Sequence, residues 1–377
     1  MQYNDVHARL RQIIADKPDL LESFGSQAGF STLIDKFQGL DRKFFDAGHE
    51  IWHVKDCSDE SVASFEDIHA SSYWDVARPS LPALTAHYLD ALGVSDSDPE
   101  YDMALIAAAL AEVEGESIPG YHNINHFIDV VAVTAQALHV NEEQYDTYGA
   151  QSGAVDLDMK DKALTLIAAI GHDIGHEGVS NPKDDIYFNE RRSYKLLEAP
   201  LQAMGMGADD LSRIDLMLKT TSPNGPHTII KRLGLAAAKG QDVSWDAIDN
   251  EGRYPELQAL HGDPKLIAQA AILHAADLFA SSASLRSNVT YSKALTKEYN
   301  GTINFNEPDN RAFFLDVIVG KDGFTFAPAV NVIIESSFNN LRDLNDMLKE
   351  LEAEYGRGFE RLGVKYNKGG GAEPKPQ

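Results

Sequence analysis

The sequence predicts an all-helical protein, and three observations carry that expectation. Apolar residues recur at three- and four-residue spacing, as in Leu33, Ile34, Phe37, Leu40, Phe44 and Phe45, which sets them on one helical face. Long Ala- and Leu-rich runs, Lys162 to Ile170 and Leu266 to Leu285, read as buried helices. Strand-like alternation is weak and confined to Val317 to Phe326, where Lys321-Asp322-Gly323 allows a small hairpin.

Taken in order, residues 4 to 52 read as amphipathic helices interrupted at Lys17-Pro18 and again between Gly25 and Gly29. Arg78-Pro79-Ser80-Leu81-Pro82 marks a boundary, after which Leu84 to Leu92 and Met103 to Val113 are helical. Gly115 to Gly120, with Pro119, turns the chain into a helix from Ile124 to Leu138, whose Ile128, Val131, Ala132, Ala135 and Leu138 share a face. The run Lys162 to Ile170 ends at Gly171-His172-Asp173, and a loop through Gly178, Asn181 and Pro182 leads to helices at Phe188 to Leu197 and Leu211 to Lys219. Ser222-Pro223-Asn224-Gly225-Pro226 breaks the pattern. Leu266 to Leu285 resumes it as one long helix carrying His274 and Asp277, and Asn331 to Tyr355 closes the fold as an amphipathic helix. The Gly-, Lys- and Pro-rich tail from Asn367 is expected to be mobile. The expected plan is an N-terminal helical extension over 1–95, a main body over 96–360 and a flexible tail over 361–377, with no internal repeats.

Composition narrows the function classes. Of 377 residues, 43% are hydrophobic, enough for a sizeable core, and 33 basic against 58 acidic residues leave a net charge of −25. Such a charge repels nucleic acid polymers and anionic membranes, so a small anionic substrate needs local cations. The single cysteine, Cys57, rules out an intramolecular disulfide and is consistent with a reducing compartment. The charged N-terminus lacks the apolar stretch of a signal peptide, and no run approaches the roughly 20 apolar residues of a membrane span. A cytoplasmic protein is expected.

Two segments about fifty residues apart carry the chemistry. Tyr121-His122-Asn123-Ile124-Asn125-His126 and Gly171-His172-Asp173-Ile174-Gly175-His176-Glu177-Gly178 place four histidines and an aspartate in otherwise apolar surroundings. Residues four apart on a helix share a face, so His122 pairs with His126, and His172 with His176. A lone buried histidine is most often a satisfied core residue, but five such groups at ligand spacing are costly to bury without a shared partner. Asp277 adds a carboxylate in a third apolar helix, with a salt bridge to an arginine as its structural alternative. Imidazole and carboxylate donors without cysteine suit a hydrolytic centre that combines zinc with a harder cation such as magnesium or manganese.

These segments resemble the HD superfamily of metal-dependent phosphohydrolases, and within it the class I cyclic nucleotide phosphodiesterases. Tyr121 to Val130 is similar to the family's Y-H-N-x-x-H-x-x-D-V run, His172 to Asn181 to its H-D-x-x-H-x-G-x-x-N run, and His274-Ala275-Ala276-Asp277-Leu278 to its H-x-A-D-L segment. The resemblance covers roughly residues 100 to 350 and implies a multi-helix bundle with a central binuclear metal site. It implies that His126, His172, Asp173 and Asp277 hold the tighter metal, zinc, and that Asp173 also bridges to magnesium or manganese. It further implies a metal-bridged hydroxide attacking phosphorus, with His122 as the general acid that protonates the departing sugar oxygen. His176 and Glu190 match positions that orient the hydroxide and nearby waters, while Tyr121 and Asn181 would shape the substrate pocket. The implied substrate is a 3′,5′-cyclic nucleotide, cAMP or cGMP, opened to the 5′-monophosphate.

Departures from the pattern keep other readings open. The family's purine-holding S-Q-x-G-F segment does not follow Asp277; the nearest stretch is Gly320-Lys321-Asp322-Gly323-Phe324, with lysine in place of glutamine and Phe324 as the candidate substrate-contacting aromatic. Ser26-Gln27-Ala28-Gly29-Phe30 reads like that motif at the wrong end of the chain, where chance is the preferred account. Thr220-Thr221 stands where the family has Thr-Asp. An HD phosphohydrolase acting on another phosphate ester, or a catalytically silent domain binding a nucleotide or a partner, therefore remains an alternative. Arg191, Arg192 and Arg286 are candidate phosphate-steering cations; Trp52, Trp74 and Trp245 read as core or interface residues, and a homodimer through the N-terminal third is open.

Overall fold

The computed structural model describes residues 3–51, 78–117, 120–223, 226–238, 241, 243–278, 285–299, 364–367 and 371–374. Helices dominate: α1 (Tyr3–Asp16), α2 (Gln27–Asp46), α3 (Leu81–Ala91), α4 (Pro99–Ser117), α5 (Ile124–Tyr148), α6 (Met159–Gly171), α7 (Phe188–Met204), α8 (Ala208–Lys219), α9 (Pro226–Ala238), the single-turn α10 (Trp245–Ile248), α11 (Pro264–Leu278) and α12 (Leu285–Glu298). Short 3-10 turns span Pro18–Phe24, Gly149–Ser152 and Pro255–Leu260. Within the expected tail, β1 (Val364–Asn367) pairs antiparallel with β2 (Gly371–Pro374).

The centre of the molecule is α6. Every residue from Asp161 to Gly171 is buried, because α4, α5, α8 and α11 pack around this helix. Its Ala-, Leu- and Ile-rich sequence has no polar face to present to water, so burial on all sides is its only stable placement. Its start is fixed by a capping box in which the Asp158 side chain accepts from the Asp161 backbone (2.9 Å) and Asp161 accepts in return (3.2 Å). Asp161 also receives Arg213 (2.8 Å) and Lys265 (2.6 Å), which ties α6 to α8 and α11. The other end closes on Gly171, where a β-carbon would overlap the side chain of Leu197, so α7 can approach only because glycine stands there.

The N-terminal hairpin buries Phe30, Ile34, Phe37 and Phe44 along one face of α2, as their spacing predicts. The Ser26 side chain caps that helix by accepting from Gly29 N (3.1 Å), and Phe30 meets Phe24 edge-on at 5.0 Å. The Ser26-to-Phe30 stretch is thus a helix start in a hydrophobic core. Asp41, fully buried, accepts from His7 (2.7 Å) and from the backbone (2.6 Å) and hydroxyl (2.8 Å) of Ser80, itself the cap of α3. Glu112 of α4 likewise pairs with Arg78 and accepts from Leu81 N (2.7 Å), so the boundary at Arg78 to Pro82 is locked by buried ion pairs.

Several expectations change. The helix expected at Ile124 to Leu138 continues to Tyr148, ending at Gly149 with φ 64°. Of the helix expected at Leu266 to Leu285, α11 is described to Leu278, α12 is described from Leu285, and residues 279–284 lie outside the described residues. Helix α9 follows Ser222 to Pro226, where proline at its first turn starts a helix instead of only breaking one. The hairpin at Val317 to Phe326, the helix at Asn331 to Tyr355, Cys57, Trp52, Trp74 and Phe324 lie outside the described residues.

His274 on α11 is buried and donates from Nδ1 to Thr220 O (2.6 Å). Burial lowers its pKa from 6.5 to about 4. A depressed histidine supports folding fully above 6.5, and that support is lost as pH falls towards 4. His274→Gln should therefore flatten the loss of unfolding free energy across this window by on the order of 3 kcal/mol, read by urea denaturation. An unchanged slope would rule His274 out as a source of acid sensitivity.

Candidate metal centre

The three apolar helices that the sequence singled out end at one place. Asn123 caps α5, its side chain accepting from Asn125 N (2.9 Å), which puts His126 in the first turn and His122 just before it. His172 is the residue that terminates α6, and Asp173 begins the turn beyond it. Asp277 sits in the last turn of α11. One donor atom from each of His126, His172, Asp173 and Asp277 lies within 4.8 Å of all the others.

The geometry is specific to nitrogen and oxygen lone pairs. His126 Nε2 lies 3.2 Å from Asp173 Oδ2 and 3.2 Å from Asp277 Oδ1; His172 Nε2 lies 2.9 Å from Asp173 Oδ2, 3.6 Å from Asp277 Oδ1 and 3.1 Å from His126 Nε2. His172 Nδ1 donates to Ala169 O (2.8 Å), so the ring's Nε2 is free to carry a lone pair towards the cluster. Burial alone would raise the Asp173 and Asp277 carboxyls, but the neighbouring imidazoles outweigh it and hold both well below the usual range. Two ionised carboxylates and two imidazoles converging in an apolar centre form a donor set that fits a divalent cation.

A second cluster lies alongside. His122 Nε2 is 3.9 Å from Asp173 Oδ2, and its ring stacks on His176 at 3.9 Å with a 30° tilt. Its Nδ1 bonds to the carboxylate of Glu298, which reaches in from α12 and also accepts from the backbone N–H groups of Tyr121 and His122. His176 Nδ1 lies 3.7 Å from the same carboxylate and accepts from Gly178 N (3.0 Å). One donor atom from each of His122, His176 and Glu298 also lies within 4.8 Å of the others, but His122 Nδ1 is bound to Glu298 and the His176 Nδ1 lone pair to Gly178 N. The trio therefore reads as an acid–base cluster rather than a metal site. Burial, reinforced by His122, lowers the pKa of His176 to about 4, so this ring is neutral near pH 7.

Glu190, near the start of α7, is buried with a pKa raised to about 8 by desolvation and by the charges of Asp173 and Asp277. The structure therefore gathers His176 and Glu190 with the metal-ligand candidates. Asn181, expected to shape a substrate pocket, is buried and braces Glu190: its amide donates to both carboxylate oxygens (3.2 and 2.9 Å) and to Ile186 O (2.8 Å), and its oxygen accepts from Asn189 N (2.8 Å). Tyr121 is buried as well, stacked on His126 at 4.4 Å and edge-on to His122 at 5.0 Å, so it backs the histidines.

The candidate phosphate-steering arginines are engaged elsewhere. Arg191 pairs with Asp185 and with Glu256 (3.0 Å), and Arg192 pairs with Glu177; the side chain of Arg286 lies outside the described residues. Thr220 and Thr221 turn their hydroxyls back to Met217 O (2.6 Å) and Leu218 O (2.8 Å), so no carboxylate stands there. Glu298, which the sequence reading did not single out, lies 21 residues beyond Asp277 in the polar stretch Lys293 to Tyr299. A solvated helix face carries the same residue types, and no local signal marks this glutamate.

The class defined here is an all-helical protein whose core helices converge on a buried histidine and carboxylate centre. Among solved structures the chain is similar to the phosphodiesterase domain of the RhoPDE fusion protein from the choanoflagellate Salpingoeca rosetta, with 17% identity and a TM-score of 0.46, covering 80% of this chain and 96% of that one. It is also similar to LmjPDEB1 in complex with IBMX, with 15% identity and a TM-score of 0.47, covering 79% of this chain and 89% of that one. No protein-family model and no curated protein matches the chain.

After dialysis against zinc, Asp277→Ala and Asp173→Ala should lose most bound metal by elemental analysis, while His122→Ala retains it. Equal loss in all three would move His122 into the ligand set.

Proposed function

We propose that this chain is a metal-dependent phosphohydrolase that opens a 3′,5′-cyclic nucleotide, cAMP or cGMP, to its 5′-monophosphate. The observation that carries the reading is the convergence of His126, His172, Asp173 and Asp277 within 4.8 Å, with the His122 and Glu298 pair beside them. A buried zinc with a neighbouring magnesium or manganese would supply Lewis-acid polarisation of the phosphoryl oxygens and activation of the attacking water. The chain's own groups supply the rest.

His122 is suited to the leaving-group side. Its Nδ1–H bonds to Glu298, so the imidazolium can release a proton from Nε2 while its other nitrogen stays anchored. Burial would raise the Glu298 carboxyl, but its hydrogen bond to His122 outweighs this and keeps it low, so an anion anchors the Nδ1 side of His122. His176, neutral, and Glu190, braced by Asn181, are suited to ordering water near Asp173. The acidic chain makes bound cations the main attraction for an anionic ester, since Arg191 and Arg192 are already paired.

One observation favours a second reading, another small phosphate ester as substrate. Ser26 to Phe30, the one stretch resembling the purine-holding glutamine motif, belongs to the capped start of α2 in the N-terminal core. On either reading the substrate is a small molecule in the cytoplasm; no helix of the described residues is long and apolar enough to cross a membrane.

Protein loaded with zinc plus magnesium or manganese should release 5′-monophosphate from cAMP or cGMP. His122→Ala should keep its metals and lose turnover by about 10²- to 10⁴-fold, the range for a general acid. Turnover of other esters alone would favour the second reading, and silence on every ester with metal bound would sink both.

A further inference from the structure

We infer that Asn189 is a positioning residue of the proposed reaction: its amide oxygen and His176 Nε2 together hold one water molecule, which donates to the oxygen and accepts from the imidazole. The inference rests on His176 as a residue that orders water in that reaction. Asn189 belongs to none of the three sequence motifs; it stands one position before Glu190, in the first turn of α7.

The surroundings of Asn189 fix its amide. The residue is only 7% exposed. Its backbone N–H donates to Asn181 Oδ1 (2.8 Å), and Ser193 Oγ donates to its carbonyl (3.2 Å), so the side chain leaves a settled backbone. Nδ2 lies 2.8 Å from Val179 O, a carbonyl that only a donor can meet. That contact decides which end of the amide is nitrogen. The other end, Oδ1, is buried, and among the described residues no donor bonds to it. A buried carbonyl without a donor carries the full cost of leaving water, so Oδ1 is an acceptor in want of a ligand.

The facing imidazole has the complementary need. His176 Nδ1 accepts from Gly178 N (3.0 Å), which requires a lone pair there; the ring is then neutral and its proton sits on Nε2. Nε2 lies 3.4 Å from Asn189 Nδ2, and two N–H groups do not bond to each other. A donor without an acceptor thus sits beside an acceptor without a donor. Oδ1 and Nδ2 share one carbon, so Oδ1 lies within about two hydrogen-bond lengths of Nε2, the span that one bridging oxygen closes. Water is the smallest group that offers a proton to one side and a lone pair to the other. Its two bonds set its orientation and hold His176 in the Nε2–H form. Without Asn189 the water loses its second anchor, and the ring proton is free to move to Nδ1, on the side of Glu298, at the expense of the Gly178 bond. His176 stacks on His122 at 3.9 Å, so the ring held in this way is also the wall against which the proposed acid lies.

A crystal structure of the metal-loaded protein at atomic resolution should show a water oxygen about 2.7–3.2 Å from both His176 Nε2 and Asn189 Oδ1. A site without that water, or an Asn189 oxygen turned to a protein donor, would overturn the inference. Asn189→Leu removes the polar atoms at similar volume and leaves the backbone bonds to Asn181 and Ser193. It should lower kcat by about 10- to 100-fold, the range for groups that orient a site's ligands, with KM and metal content near wild type. Nitrogen-15 NMR of the His176 imidazole needs no substrate: the wild type should show a protonated Nε2 and a bare Nδ1, and the two tautomers should mix in Asn189→Leu. A His176 spectrum in Asn189→Leu identical to the wild type's would overturn the positioning role, whatever the turnover. If Asn189→Leu does not fold, the wild-type structure decides alone. If the wild-type protein turns over no phosphate ester, the proposed reaction fails while the structure and the spectrum still decide whether Asn189 holds the water.

Discussion

Asp173 and Asp277 are carboxylates held close to the same two imidazoles inside an apolar helical core, and the arrangement around them answers the cost of keeping them there. Isolated, either charge would be driven to take up a proton. His126 and His172 prevent this, and those rings are fixed in turn, His172 by Ala169 O and His126 by its stack on Tyr121. The position of α6 follows from the same requirement. It is a helix with no polar face, so it must lie in the middle, and its C-terminal residue is then delivered to the centre of the molecule.

Around this centre the structure separates two kinds of support. The donor cluster stands on α5, α6 and α11, whose backbones pack against one another and whose ends are fixed by caps and by the ion pairs at Asp161. The acid–base cluster depends on loops after α4 and α6 and on α12, where single side chains make the contacts. Side chains on packed helices hold position to within small limits. Glycine is the material of this second region because the carboxylate occupies the space that side chains at Gly120 and Gly178 would need.

Legibility in the sequence followed the range of the interactions. The helical class, the buried character of α6 and the pairing of His122 with His126 and His172 with His176 are short-range properties, set by periods of three and four residues. Asn123 as a cap and Asp277 at the end of an apolar run are local too. Asn181 was legible as a motif residue, but its bond to Glu190, brought to it by a turn, was not. Glu298 was invisible because an acidic residue in a polar helix looks the same whether it faces water or a histidine.

By itself, then, the sequence determined that the chain is helical, which helices are buried, and which histidines and aspartates have no reason to lie in them except to share a ligand. Those conclusions need only the periodicity of the helix and the cost of burying charge. Only the tertiary structure decided that three distant helix ends meet within one coordination radius, that Ser26 to Phe30 belongs to the N-terminal core, and that the carboxylate behind His122 comes from α12. Contacts between residues well over a hundred positions apart depend on how helices stack, and no local pattern of residue types encodes that.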